Sequence, residues 1–387
     1  MSVALGIDGL LGCGRLEGQR VGLVCNPASV DGELRHTVDR IWAAPGVTLG
    51  GIFGPQHGFR SDVQDNMVET PHGRHARYGV PIYSLYSDTR EPTAQMLDDI
   101  DLLVIDLQDV GTRVYTYVNT MANCLRGAQT HGVPVVVCDR PNPIGGAVVE
   151  GPVLQSGYES FVGQFPIPLR HGMTIGELAR LFNEQFGIDA ELTVSGLEGW
   201  ARATYQDEAG VPWVMPSPNL PTLDSAVVYP GAVLVEGTNL SEGRGTTRPF
   251  ELIGAPWIDG EAISDELNRM SLPGVLFRAL QFEPTFQKHA GQPCGGCQIH
   301  VTDRRAFRPV LTTVALLQTC RRSGPEAFAW RSPPYEYEKI KPPIDVLSGS
   351  DRLRTQLDEN EPATKIAAGW AAEVTAFEEL RARYLLY

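Results

Sequence analysis

Through its first 150 residues the chain alternates short apolar, β-branched runs with longer segments of helical period, and this alternation limits the fold more than any other feature. "RVGLVCNPAS", "VTLGGIFGP", "VPIYSLYS", "DLLVIDLQDVG" and "VPVVVCDRPNPIGG" read as strands, the last stopped by prolines. "ELRHTVDRIWAA", "EPTAQMLDDI" and "YTYVNTMANCLRGAQTHG" read as the helices between them. Strands apolar throughout are buried on both faces, which requires a parallel sheet covered by helices on each side. The expected fold is α/β, with a Rossmann-like, doubly wound, mostly parallel sheet over residues 1–150.

From residue 151 the pattern loosens, and a second, smaller mixed α/β domain is expected over 151–387. "GMTIGELARLFNEQFG" predicts a helix capped by Thr174, with Glu177 completing a capping box. "DGEAISDELNRM" and "VLTTVALLQTCRRSG" predict helices, "GVLFRALQFEPTF" and "QIHVTD" strands, and "KIAAGWAAEVTAFEELRARYLLY" one long terminal helix. The cleft between the two domains is the expected ligand site.

Composition narrows the function. The 387 residues carry a formal net charge of -14 with both signs mixed, so no basic stripe follows a nucleic-acid backbone. No apolar run approaches the roughly 18 residues of a membrane span, and the first residues carry no export-signal pattern. A cytoplasmic protein is expected, its seven cysteines reduced. His289, Cys294, Cys297 and His300 have a spacing that zinc sites use, but the Gly-Gly between the cysteines suits the turn of a plain hairpin, which is the reading preferred. No HExxH spacing is present, and the glycines of "LGCGRLEG" precede a strand instead of following one, which argues against a nicotinamide cofactor. No metal and no cofactor are expected.

In doubly wound sheets, ligands bind beyond the carboxyl ends of the strands. Those ends carry the candidate residues. After the second strand come Gln56, His57, Arg60 and Asp62, with Asp65 and Glu69 further along the loop. In "IDLQDVGTRVYTY" lie Asp106, Gln108, Asp109, Arg113 and Tyr115, and beyond the next strand Asp139 and Asn142. "VEGTNLSEGRGTTRPFE" supplies Glu236, Asn239, Glu242, Arg244 and Arg248 around glycines. Carboxylates, amides, guanidinium groups and phenols in one cleft suit a polyhydroxylated ligand, and paired carboxylates are what glycoside hydrolysis uses. The spacing alone leaves a sugar and a phosphate ligand both open, and Asp106 and Asp109 also fit helix capping and neutralisation of Arg113.

Several blocks carry a more specific signal: "FGPQHGFRSD", "DLQDVGTRVYTY", "DRPNPIGG", "HGMTIGELA", "SPNLPTLDSAVVYPG", "EGTNLSEGRGTTRPFELIGAPW" and "YEYEKIKPPIDVLSGS". In order and over nearly the whole chain they resemble the exo-β-N-acetylmuramidase (NamZ) family. The resemblance implies release of a terminal N-acetylmuramic acid from peptidoglycan fragments, without a cofactor, at a site between a Rossmann-like and a second α/β domain. It gives the arginines a purpose, recognition of the lactyl carboxylate, with Arg244, Arg248 and Arg113 as candidates. Since no export-signal pattern is seen, trimming of imported cell-wall fragments in the cytoplasm is the expected role.

One position departs from the family. Where the loop usually reads P-E-H-G, with the glutamate as the favoured catalytic acid, this chain has Gln56. An amide has no proton to give, and such a group contributes roughly two to four orders of magnitude. The acid role is therefore expected to have moved to Asp62, Asp65, Glu69 or Asp106, or the glutamine orients water for another acid. The alternative is an amino-sugar-binding protein without turnover.

Overall fold

A computed structural model describes residues 3–65 and 67–387. Among the described residues, twelve strands form three sheets. β1 (Arg20–Cys25), β2 (Thr48–Gly54), β3 (Gly73–Arg74), β4 (Pro81–Ser84), β5 (Leu102–Asp106), β6 (Val135–Cys138) and β9 (Leu192–Ser195) make the largest, in the order β3-β4-β2-β1-β5-β6-β9. Every neighbouring pair is parallel except β3 with β4. The α/β reading and its mostly parallel sheet hold. The sheet does not end by residue 150, since its last edge is β9.

The period of two in the central strands produces two cores. Leu23 and Cys25 of β1, Val104 of β5, and Val136 and Cys138 of β6 pack on one face with Ile7, Leu10, Val38 and Ile41 of the helices Gly6–Gly12 and Thr37–Ala43. Val24, Leu103, Ile105, Val135 and Val137 face the other way, onto Met121 and Leu125 of the helix Tyr117–His131 and Leu178 of the helix Ile175–Arg180. A one-residue slip would exchange these sets, and each fully buried aliphatic side chain contributes about 1.5–3 kcal/mol, so the register is firmly held. Thr174 caps its helix from Glu177 N, and Glu177 returns the bond, as the sequence predicts.

β7 (Glu150–Val153) and β8 (Pro168–Arg170) form a small antiparallel pair. β10 (Leu252–Ala255), β11 (Val275–Phe282) and β12 (Cys294–Val301) form an antiparallel sheet in the order β10-β12-β11. The helices Gly260–Arg269 and Pro309–Ser323 add Ile263, Leu267, Val314 and Leu317 to the same apolar core as Phe277 and Ile299 of this sheet. That core continues without interruption into the residues of the first sheet's inner face.

Two expectations are corrected. Gly295 and Gly296 lie inside β12 and not in a turn: a Cβ on either would meet a backbone oxygen of Ile258 or Ile253 at 2.1 Å, so only glycine admits this approach. The terminal helix is two, Ala363–Ala368 and Ala371–Arg381, parted at Gly369 and the buried Trp370. No helix of the described residues is long and apolar enough to cross a membrane.

Candidate active site

The loop after β2 turns at once. Gly58 N bonds Pro55 O at 2.9 Å, and a Cβ on Gly54 would stand 2.6 Å from Phe59 N. The turn tucks Gln56 inward, where it is only 5 % exposed. Thr116, just before the helix Tyr117–His131, donates to Gln56 Oε1 at 2.7 Å and fixes which way the amide faces. Gln56 Nε2 then points at Glu336 Oε1 and at the Tyr86 hydroxyl, 3.2 Å from each. Tyr86 follows β4 and donates to Glu336 Oε2 at 3.0 Å.

Glu336 arrives on a tight turn. Tyr335 and Glu338 exchange both backbone bonds at 2.9 Å, and the two residues between them, Glu336 and Tyr337, have φ of 44° and 70°. Two-residue hairpin turns with positive φ at both centres favour Asn-Gly. A glutamate and a tyrosine there cost about 1–2 kcal/mol each. Arg90 stands over the rings of Tyr86 and Tyr337, 4.6 and 4.5 Å from their centroids, and braces the turn. Burial pushes the Glu336 carboxyl up to about 7, the hydrogen bonds from Tyr86 and Gln56 offsetting it in part.

A charge network forms the facing wall. Arg244 Nη1 lies 2.8 Å from Glu236 Oε1 and 3.0 Å from Glu242 Oε1, and Lys288 Nζ lies 2.9 Å from Glu242 Oε2. Tyr335 donates to Glu236 Oε2 at 2.9 Å. Burial would raise Glu242, but Lys288 and Arg244 outweigh it and hold the carboxyl down at about 2. The two acids and two bases cancel in formal charge. Tyr115, Tyr229 and Phe250 meet edge to face and give the pocket an aromatic side. The cavity is narrow, ≈ 40 Å³, and is lined by Gln56, His57, Tyr115, Glu236, Arg244 and Glu336 among others.

Of the candidates named from sequence, then, Gln56, His57, Tyr115, Glu236 and Arg244 line this pocket, and Glu242 stands behind Arg244. His57 bonds Val63 O through Nδ1 at 2.7 Å, and burial lowers its pKa to about 4, so the ring is neutral. The others lie elsewhere. Asp106 is buried against Arg140, 2.5 Å away, and accepts from Thr37 at 2.5 Å. The pair joins the carboxyl ends of β5 and β6, and the guanidinium answers the cost of a carboxylate ending an apolar strand. Asp109 accepts from Gly111 N and lies 3.2 Å from His171 Nε2. Asp139 accepts from Thr174, Gly176 N and Tyr387. Gln108 and Asn142 bond backbone carbonyls of neighbouring turns.

Arg113 is buried and donates to the carbonyls of Pro152, Ile167 and Leu347. Arg248 pairs with Glu251 beside a different groove, and Asn239 bridges to Ala327 and Ala329. Arg60 and Asp62 are exposed, Asp65 pairs with Gln287, and Glu69 with Arg90, so none of the loop's acids lines the pocket. His289 bonds Asn239 O, Cys294 and Cys297 are buried in β12, and His300 is exposed. Glu336, Tyr86, Thr116, Tyr335 and Lys288 were not foreseen. The signal for the first was the alternation of Glu and Tyr in "YEYE", inside a block already singled out.

The family description "Exo-beta-N-acetylmuramidase NamZ, N-terminal" matches residues 21–224, and its C-terminal counterpart matches residues 227–387. The chain belongs to the NamZ family. It is 46 % identical over 387 residues to the peptidoglycan beta-N-acetylmuramidase NamZ of Bacillus subtilis (strain 168), covering all of this chain and 91 % of that one. Two crystal structures of DUF1343 family proteins from Bacteroides fragilis NCTC 9343 match all of this chain and 99 % of theirs. Their TM-scores are 0.89 and 0.79, at 34 % and 27 % identity. Both NamZ segments contribute to the pocket: Gln56, Tyr115 and Thr116 come from the first, and Glu236, Arg244 and Glu336 from the second.

Proposed function

We propose that the chain is a glycoside hydrolase of the exo-β-N-acetylmuramidase type, releasing terminal N-acetylmuramic acid from peptidoglycan fragments. One observation carries the reading beyond family membership: Gln56, Glu236, Arg244 and Glu336 face one narrow pocket with an aromatic side, at the carboxyl ends of a parallel sheet. Buried carboxyls supply the acid that a glycosidic oxygen needs on leaving, and phenols and amides pair with sugar hydroxyls. Arg244 is the arginine in a position to meet the lactyl carboxylate; its partners Glu236 and Glu242 hold it there. Seven free cysteines, six of them buried, and the net charge of -14 fit a cytoplasmic enzyme acting on imported fragments.

The test is release of sugar from a disaccharide bearing terminal N-acetylmuramic acid and from its chromogenic aryl glycoside. Turnover is expected on both. No release at high protein concentration, with the Bacillus relative active beside it, would reject the hydrolase. Gln56 favours one second reading, an amino-sugar-binding protein, for which calorimetry would show saturable binding without turnover.

A further inference from the structure

We propose that Glu336 is the proton donor to the leaving glycosidic oxygen in this chain, and that Gln56 and Tyr86 are the residues that position it. The proposal rests on the hydrolytic reading above. Gln56 occupies the place of the expected loop acid, and its amide has no proton to lend. Its nitrogen lies 3.2 Å from Glu336 Oε1, so a carboxyl 280 residues further along the chain reaches the same corner of the pocket.

The other pocket acid, Glu236, is tied to Arg244 and Tyr335, and Glu242 behind it to Arg244 and Lys288. Both are ion-paired with cations, and Lys288 and Arg244 hold the Glu242 carboxyl down. Glu336 instead takes its hydrogen bonds from neutral groups, an amide and a phenol. The groups facing it are Tyr86, Tyr229, Glu236 and Arg244, with Tyr335 and Tyr337 on its own turn; the Glu236 charge raises its pKa and Arg244 lowers it. With burial as the dominant cause, the carboxyl still carries its proton at mildly acidic pH. The turn adds an independent mark. An unfavourable backbone at both Glu336 and Tyr337 persists where the side chain it aims is the one the site uses.

In the step itself, Glu336 gives its proton to the bridging oxygen as the bond from that oxygen to the anomeric carbon breaks. The bonding pair stays on the oxygen, which departs as a free hydroxyl of the remaining glycan. Water adds to the anomeric carbon, and the proton it sheds restores the Glu336 carboxyl. The sum is glycoside plus water giving two sugars, with no further reactant.

The experiment compares the full-length wild type with Glu336→Gln on two substrates. On the disaccharide, whose leaving group needs a proton, kcat is expected to fall by about 10²–10⁴. On a nitrophenyl glycoside, whose leaving group departs as a stable anion, the fall is expected to be far smaller. Equal losses on both, or wild-type kcat on the disaccharide, would overturn the proposal. Thermal melting and binding of free N-acetylmuramic acid monitor folding. Should the variant not fold, Tyr86→Phe decides: losing that donor raises the Glu336 pKa, so the alkaline limb of kcat/KM moves to higher pH. A limb that stays put overturns the assignment. An inactive wild type removes both this proposal and the hydrolase reading, whereas an active wild type with an active Glu336→Gln variant removes this proposal alone.

Discussion

At the scale of single residues, burial together with the nature of the partner separates structural acids from reactive ones. Asp106 and Glu336 are both almost wholly buried, but one faces a guanidinium and the other an amide and a phenol. Asp106→Asn leaves the Arg140 charge buried without its partner and is expected to cost about 3–5 kcal/mol in urea denaturation. Glu336→Gln is expected to act through pH. The Glu336 pKa is about 7 in the folded chain against 4.5 unfolded. Its contribution to stability is therefore full below pH 4.5 and is lost as pH rises through 7. Melting curves from pH 5 to 8 should show the variant losing less stability than the wild type over that window. The sequence showed that Asp106 ends an apolar strand, but its partner Arg140 lies 34 residues on, a pairing that strand periodicity does not reveal. Glu336 was hidden for a different reason. Its turn violates the Asn-Gly preference by which hairpins are recognised, so nothing local announced a hairpin there.

At the scale of elements, regular patterning was read well and close backbone approach was not. The strands β1, β5 and β6 and the capping box at Thr174 followed from unbroken apolar runs, their length and capping chemistry. The glycines of β12 look like turn residues because local sequence cannot show what another segment brings against them. Gly296→Ala sets a methyl group against Ile253 O and is expected to destabilise by about 1–3 kcal/mol, measured by chemical denaturation, as overpacking does. The break at Gly369 was missed because helical spacing continues across it, from Ile366 to Trp370 to Phe377.

At the scale of the molecule, one apolar core runs from Val24 of β1 to Tyr384 near the last residues and takes in side chains of all three sheets. Heating is thus expected to give one calorimetric transition. A fragment ending at residue 224, where the N-terminal family match stops, should expose that core and fail to give a cooperative melt. The pocket shares this unity, because its lining draws on both family segments and one core joins them.

The loop beyond β2 is strapped across the turn that bears Glu336. The Glu336 amide approaches Met67 Sδ at 3.2 Å, the Tyr337 hydroxyl approaches Glu69 at 3.4 Å, and Gln287 reaches Asp65. Glu336, held by the first of these contacts, lines the narrow pocket with Gln56, Tyr115 and Arg244. These fastenings hold the turn that carries Glu336, so loosening them is expected to pace turnover alongside bond cleavage, seen as a fall of kcat with solvent viscosity.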